Sequence, residues 1–294
     1  MRNTLLFIGV LGALSASAAQ DQWAEARKNW NVDQEPFKLF GNSYYVGTHG
    51  LASVLITSDQ GHILIDGDLP ESVPSIRHHI EQLGFKLKDI KLIVNSHAHF
   101  DHAGGIAELQ KLTGARVAAS PWAKATLDAG HSDKQDPQFA TIMPMTPLTH
   151  KAQVIHDNEQ LTVGNMHLTA HFTPGHTPGG TTWTWQSCEG ERCLNLVYAD
   201  SLNAVSSDGF RFTGDPNYPH AADDLRKSVR TVAALPCDIL VSAHPELSDL
   251  WDRLPKRESG EQDALIDTSA CSRYAEAAQQ RLDARLEQER GATK

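Results

Sequence analysis

The hydrophobic pattern opens with two short apolar runs, residues 53–57 and 62–66, separated by Ser58-Asp59-Gln60-Gly61. Strand-length runs around such a turn read as a β-hairpin. Residues 69–83 carry apolar positions at helical spacing, with Pro74 near the first turn, where proline is tolerated. The run 90–94 is a buried strand, followed by a helix over 103–112 with Gly114 as its stop. A strand over 115–119 and a short helix over 121–128 come next. Residues 130–147 are polar, proline-containing and without a period, so they read as a long loop. Strand signals then fill 152–199. A helix over 221–235, a strand over 238–241 and a charged amphipathic helix over 270–289 close the pattern. Strands, helices, strands and helices in that order predict an α/β protein of two similar halves, packed sheet to sheet with helices outside.

Composition adds a compartment and removes some partners. The start Met1-Arg2-Asn3-Thr4, the apolar stretch 5–14 and the small residues Ser15-Ala16-Ser17-Ala18 read as a signal peptide over 1–18, cut after Ala18 or, failing that, Ala19. The stretch is too short for a permanent span, and no lipid-anchoring cysteine follows it. The expected product is a periplasmic chain of residues 19–294, of a size for a single domain with a full core. A net charge of −10 offers no basic surface for nucleic acid. No membrane partner is expected, and the chain is read as a monomer. The four cysteines are even in number, as expected of an oxidising compartment. Cys188 and Cys193 bracket a turn between two strand-like runs and could staple a hairpin. Cys237 precedes the strand over 238–241, and Cys271 begins the last helix. The spacing alone leaves their connectivity open.

The chemistry is concentrated just after the 90–94 strand, in His97-Ala98-His99-Phe100-Asp101-His102. Imidazoles and a carboxylate are ligand types that zinc prefers. Chance places this four-residue pattern in only about two of a thousand chains of such composition. Alternation puts His97, His99 and Asp101 on one side and turns His102 the other way, so one loop can serve two adjacent metal positions. His176 lies in the rigid turn Thr173-Pro174-Gly175-His176-Thr177-Pro178-Gly179-Gly180, and His244 follows the 238–241 strand. Alone, either would read as an ordinary loop histidine; beside the cluster they complete six ligands, which divide into two sites of three with open positions for water and substrate. His78 and His79 read as helix residues. His131, His150, His156, His167, His171 and His220 lack partner spacing. Asp66 can accept from a ligand imidazole or be an ordinary turn aspartate, and Asp200 is open in the same way. Trp122, Trp183 and Trp185 read as core. Gly-x-Ser-x-Gly and Ser-x-x-Lys are both absent, which argues against a serine nucleophile.

These motifs resemble the metallo-β-lactamase superfamily and, more narrowly, its subclass B3, over essentially the whole chain from Trp23. The carriers are His97 to Gly105, Pro174 to Gly180, Tyr198-Ala199-Asp200-Ser201-Leu202 and Ala243-His244-Pro245. The resemblance implies a four-layer αββα sandwich and two zinc ions, one on His97, His99 and His176, the other on Asp101, His102 and His244. It implies opening of the β-lactam ring of penicillins, cephalosporins and carbapenems by a zinc-bound hydroxide, with Asp101 orienting that water. Ser201 stands where another lactamase subclass has a cysteine ligand and where related lactonases and glyoxalases tend to have a bridging aspartate. It is expected, with Asn203, to bind the substrate carboxylate. Family members often carry serine where Asn203 stands. A Cys237–Cys271 bridge resembles one in the subclass. The alternative is another hydrolase of the superfamily, such as an acyl-homoserine lactonase or glyoxalase-type thioesterase. The polar loop 130–147, expected over the site, argues against an apolar channel for a lactone tail.

Overall fold

The computed structural model describes residues 22–292; the expected signal peptide lies outside them. Helix α1 covers residues 22–30. The first sheet runs β1 (Phe37–Phe40), β2 (Ser43–Tyr45), β3 (Val54–Ile56), β4 (His62–Ile65), β5 (Ile90–Val94), β6 (Arg116–Ala119) and β7 (Gln153–Val154), in chain order. Its first four strands pair antiparallel and the rest parallel. Each parallel step needs a crossover. Helix α2 (Val73–Gln82) links β4 to β5; α3 (Phe100–Ala103) and α4 (Ile106–Thr113) link β5 to β6; α5 (Pro121–Ala129) stands between β6 and β7.

The second sheet is ordered β12-β11-β10-β9-β8. Strands β8 (Gln160–Val163), β9 (Met166–Phe172), β10 (Thr181–Glu189) and β11 (Arg192–Ala199) are antiparallel neighbours, and β12 (Ile239–Ser242) adds parallel to β11 through α6 (Ala221–Ala233). Helices α7 (Leu250–Glu258) and α8 (Ala270–Gly291) follow.

The period of two sorts each sheet's side chains into two cores. Ile63, Ile65, Leu92 and Val94 face Leu168, Trp183, Trp185, Leu196 and Val241 between the sheets. Leu64, Ile93 and Val117 point outward onto Ile76 and Ile80 of α2 and Leu109 of α4. Val197, Ala199 and Leu240 point outward onto Leu225 and Val229 of α6 and Ala278 and Leu282 of α8. Helix, sheet, sheet and helix make the expected αββα layers. The predicted hairpin is the β3–β4 pair, with Val54 opposite Ile65, and Gly114 ends α4 at φ 74°. Trp183 and Trp185 are buried as read.

Helix α1, the β1–β2 hairpin and α7 go beyond the sequence reading. Helix α1 is polar apart from its spaced tryptophans and alanines, and α7 carries Pro255 inside it, which hides a helical pattern.

Candidate metal centre

Strand β5 delivers the chain to the site, and the backbone stays extended to His99 (φ −96°, ψ 157°). The alternation therefore accounts for His97 and His99 alone. Asp101 and His102 ride on the helical turn of α3, which begins at Phe100 rather than at Ala103 as the periodicity suggested. Tight packing fixes that turn: a Cβ on Gly104 would stand 2.2 Å from the Phe100 carbonyl oxygen.

All six predicted donors meet. His97, His99 and His176 each bring a donor atom within 4.8 Å of the others, and so do His97, Asp101 and His102. His244, just beyond β12, joins the second group. Its Nε2 lies 3.2 Å from His102 Nε2 and 3.5 Å from Asp101 Oδ2. His102 Nε2 is 3.3 Å from the same oxygen.

The remaining imidazole nitrogens decide which atom each histidine offers. His97 Nδ1 lies 2.8 Å from Asp200 Oδ1, while its Nε2 is buried without a partner. His176 Nδ1 donates to the Asn203 carbonyl at 2.9 Å, and His244 Nδ1 points to the Gly50 carbonyl at 3.3 Å. His99 is turned the other way. Its Nε2 faces both oxygens of Asp136 at 3.1 and 3.0 Å, leaving Nδ1 for the centre. Asp101 Oδ1 is buried and unpaired. Unpaired nitrogen and oxygen donors converging in a buried space fit zinc.

The electrostatics agree. Burial, reinforced by neighbouring imidazoles, pushes His97 well below the usual histidine range and His176 to about 3, so both are neutral donors. Burial also works against ionisation of Asp101, yet His102 and His244 outweigh it and hold the carboxyl well below the usual range. At His99 burial lowers the pKa, but the Asp136 carboxylate overrides it and leaves the ring raised.

The two open aspartates now separate. Asp200 holds the His97 imidazole. Asp66, at φ 60°, accepts from Ser96 N and Ser96 Oγ, both at 2.6 Å, and from Tyr198 OH at 2.8 Å. It fixes the residue before His97; its oxygen is 3.9 Å from His102 Nδ1, too far for a hydrogen bond. Gly180 leaves room for Asp200, since a Cβ there would lie 2.1 Å from Asp200 Oδ2.

The chain matches the profile of the metallo-β-lactamase superfamily over residues 46–194. Among solved structures it resembles MEM-A1, a subclass B3 metallo-β-lactamase from a soil metagenome library, at 52% identity and a TM-score of 0.88, over 90% of this chain and 100% of that one. It is 55% identical to the Rm3 metallo-β-lactamase, with a TM-score of 0.89, over 90% and 98%. The chain belongs to the subclass B3 metallo-β-lactamases.

Curated relatives are more distant. Hydroxyacylglutathione hydrolases of Anaeromyxobacter dehalogenans and Pseudomonas savastanoi pv. phaseolicola are 28% and 26% identical over 42% and 63% of this chain. The matches span 37% and 57% of those proteins' own length.

The cleft at this B3 centre has a mixed lining: apolar Trp23 and Trp30 of α1, Phe100, Ile142, Val205 and Leu247, and polar Gln138, Ser201, Asn203 and Glu246. The loop over 130–147 thus does not keep apolar groups from the site. Its buried polar residues Asp136 and Gln138 turn toward His99, Gln138 Nε2 lying 3.4 Å from Nδ1. Ser201 Oγ is buried and unpaired beside the cleft. Asn203 serves His176 through its backbone carbonyl, which leaves its side chain to the cleft. The cysteines pair as Cys188–Cys193 across the β10–β11 turn and Cys237–Cys271 between β12 and α8.

Asp136, Trp23, Trp30 and Glu246 were not singled out by the sequence reading. A carboxylate in the covering loop was a visible signal for Asp136; nothing local marked the others.

Proposed function

We propose that this B3 chain opens the β-lactam ring of penicillins, cephalosporins and carbapenems with two zinc ions, one on His97, His99 and His176 and one on Asp101, His102 and His244. The observation that carries the proposal is the convergence of six donors in two contiguous groups beside an unpaired Ser201 hydroxyl.

Zinc at these positions supplies a water of lowered pKa and a Lewis acid for the lactam carbonyl. The chain's own residues do the rest. Asp101 keeps its charge in a buried setting, and its free Oδ1 can hold and orient the reacting water. Asp200, Asp136 and two backbone carbonyls fix the imidazoles before substrate arrives, so their geometry needs no reorganisation. Ser201 Oγ donates to the carboxylate next to the scissile ring, and Asn203 can donate its amide to the same group.

Two disulfides fit a periplasmic setting. Among the described residues no helix is long and apolar enough to cross a membrane.

The test is hydrolysis of a chromogenic cephalosporin with and without chelator, run beside a long-chain acyl-homoserine lactone. Cephalosporin turnover that the chelator abolishes is expected. Lactone turnover as fast or faster would overturn the proposal. With apolar residues in the lining, the preference rests on Ser201 rather than on loop polarity.

A further inference from the structure

The cleft contains an ionisable side chain that the reaction does not use. Glu246 follows His244 and Pro245 in a short 3-10 turn and lines the cleft together with Ser201, Asn203 and Leu247. It is exposed. Among the described residues it makes no ion pair or hydrogen bond. The lining holds no lysine or arginine to neutralise it. The indoles of Trp23 and Trp30, both only partly buried, line the same cleft. The Trp30 ring lies 5.5 Å from that of His244.

A rim carboxylate and aromatic rings in one cleft attract the same chemistry. The carboxylate attracts a positive charge through partly screened solvent, and indole faces attract alkylammonium groups in particular. Neither feature helps a β-lactam bind through its own carboxylate, which Glu246 repels.

We infer that Glu246 is a specificity residue that favours β-lactams bearing a cationic substituent remote from the scissile ring, such as a quaternary ammonium or protonated pyrrolidine. This inference rests on the β-lactam reading of the centre. The cation sits at the cleft mouth, beside Glu246 and in reach of the tryptophan indoles, while the ring carboxylate is held at Ser201. No bond changes at Glu246; it acts through charge alone.

The test compares two cephalosporins with the same acyl group, one with a quaternary ammonium on the C3 methylene and the other with a neutral acetoxy group. The readout is the ratio of their kcat/KM values on the zinc-loaded enzyme and on Glu246→Gln, Glu246→Asp and Glu246→Lys. A unit charge at close range in water is worth about fivefold. The cationic-to-neutral ratio is therefore expected to fall about threefold to fivefold in Glu246→Gln, to persist in Glu246→Asp and to fall further in Glu246→Lys. In the wild-type enzyme the ratio should shrink as salt rises from 0.05 to 1 M, across which the screening length falls to about 3 Å. A ratio that ignores both substitution and salt overturns the inference while leaving the β-lactam reading intact. Absence of turnover with both cephalosporins overturns both.

Discussion

His99 presents its Nε2 to the Asp136 carboxylate at 3.0 Å, so a loop residue with no direct place in the centre decides which nitrogen of His99 faces inward. Its neighbour in the first group, His176, uses the opposite nitrogen because its Nδ1 is held by a backbone carbonyl. Removing the carboxylate frees the His99 ring to rotate or change tautomer. Asp136→Asn should weaken the first metal position about tenfold to a hundredfold, the usual effect of losing such a partner. Competition with a zinc-binding dye measures this, and unchanged affinity would show that His99 is held by packing alone.

The division of ligands makes its own prediction. His176→Ala should empty the first group preferentially and His244→Ala the second, each lowering bound zinc from two ions toward one. Native mass spectrometry counts the ions. Chelation of the wild-type protein should abolish turnover, and added zinc should restore it. Full activity in metal-free protein, or the reverse pattern of loss, contradicts the assignment.

Ser201→Ala removes a hydroxyl that has no partner within the protein. Nothing in the fold depends on that hydroxyl, so stability and zinc content should hold. The loss of one hydrogen bond to the substrate carboxylate should raise KM about tenfold or more. A drop in zinc content would instead make Ser201 part of the metal centre.

A fourth prediction concerns the acid limit of the fold. Asp267 accepts from Arg273, Arg253 and Ser269 at the start of α8, and these bonds, that with Arg273 first, hold its carboxyl well below the usual aspartate value. A group depressed on folding stabilises the native state above its unfolded pKa of about 3.9 and loses that contribution as pH falls through the folded value. Asp267→Asn should therefore cost about 1–2 kcal/mol at pH 7, and the gap from wild type should narrow below about pH 4. Urea unfolding of both proteins at pH 7 and pH 3 checks the sign; a gap that widens in acid would refute it.

The convergence of the six donors could be read from sequence because HxHxDH and the two later histidines are chemical signals written in residue type. The sheets could be read because Ile63, Leu64 and Ile65 show their burial in their composition. The supports of the centre were harder to see. Asp136 resembles any loop aspartate until the fold sets it against His99, far from it in sequence. The Asn203 and Gly50 contacts are made by backbone carbonyls, which every residue has. Trp23 and Trp30 become part of the cleft lining only once α1 is packed on Phe100, at ring separations of 5.4 and 6.3 Å. Asp66 and Asp200 were equally plausible partners for an imidazole, and only three-dimensional placement separates them.

The start of the described chain is bound to the turn after β12 through the surroundings of His244. Trp30 packs on the His244 ring, its carbonyl accepts from Gly50 N and Thr48 Oγ1, and the Gly50 carbonyl meets His244 Nδ1. Trp23 Nε1 reaches the Thr141 carbonyl at 2.8 Å, and Thr141 Oγ1 lies 2.7 Å from Ser207 Oγ. A shortened protein beginning at Val32 would keep every metal donor and both sheets, yet lack the buttress behind His244 and the tie on the covering loop. Truncation or proteolytic trimming at this end therefore acts on the reaction centre itself.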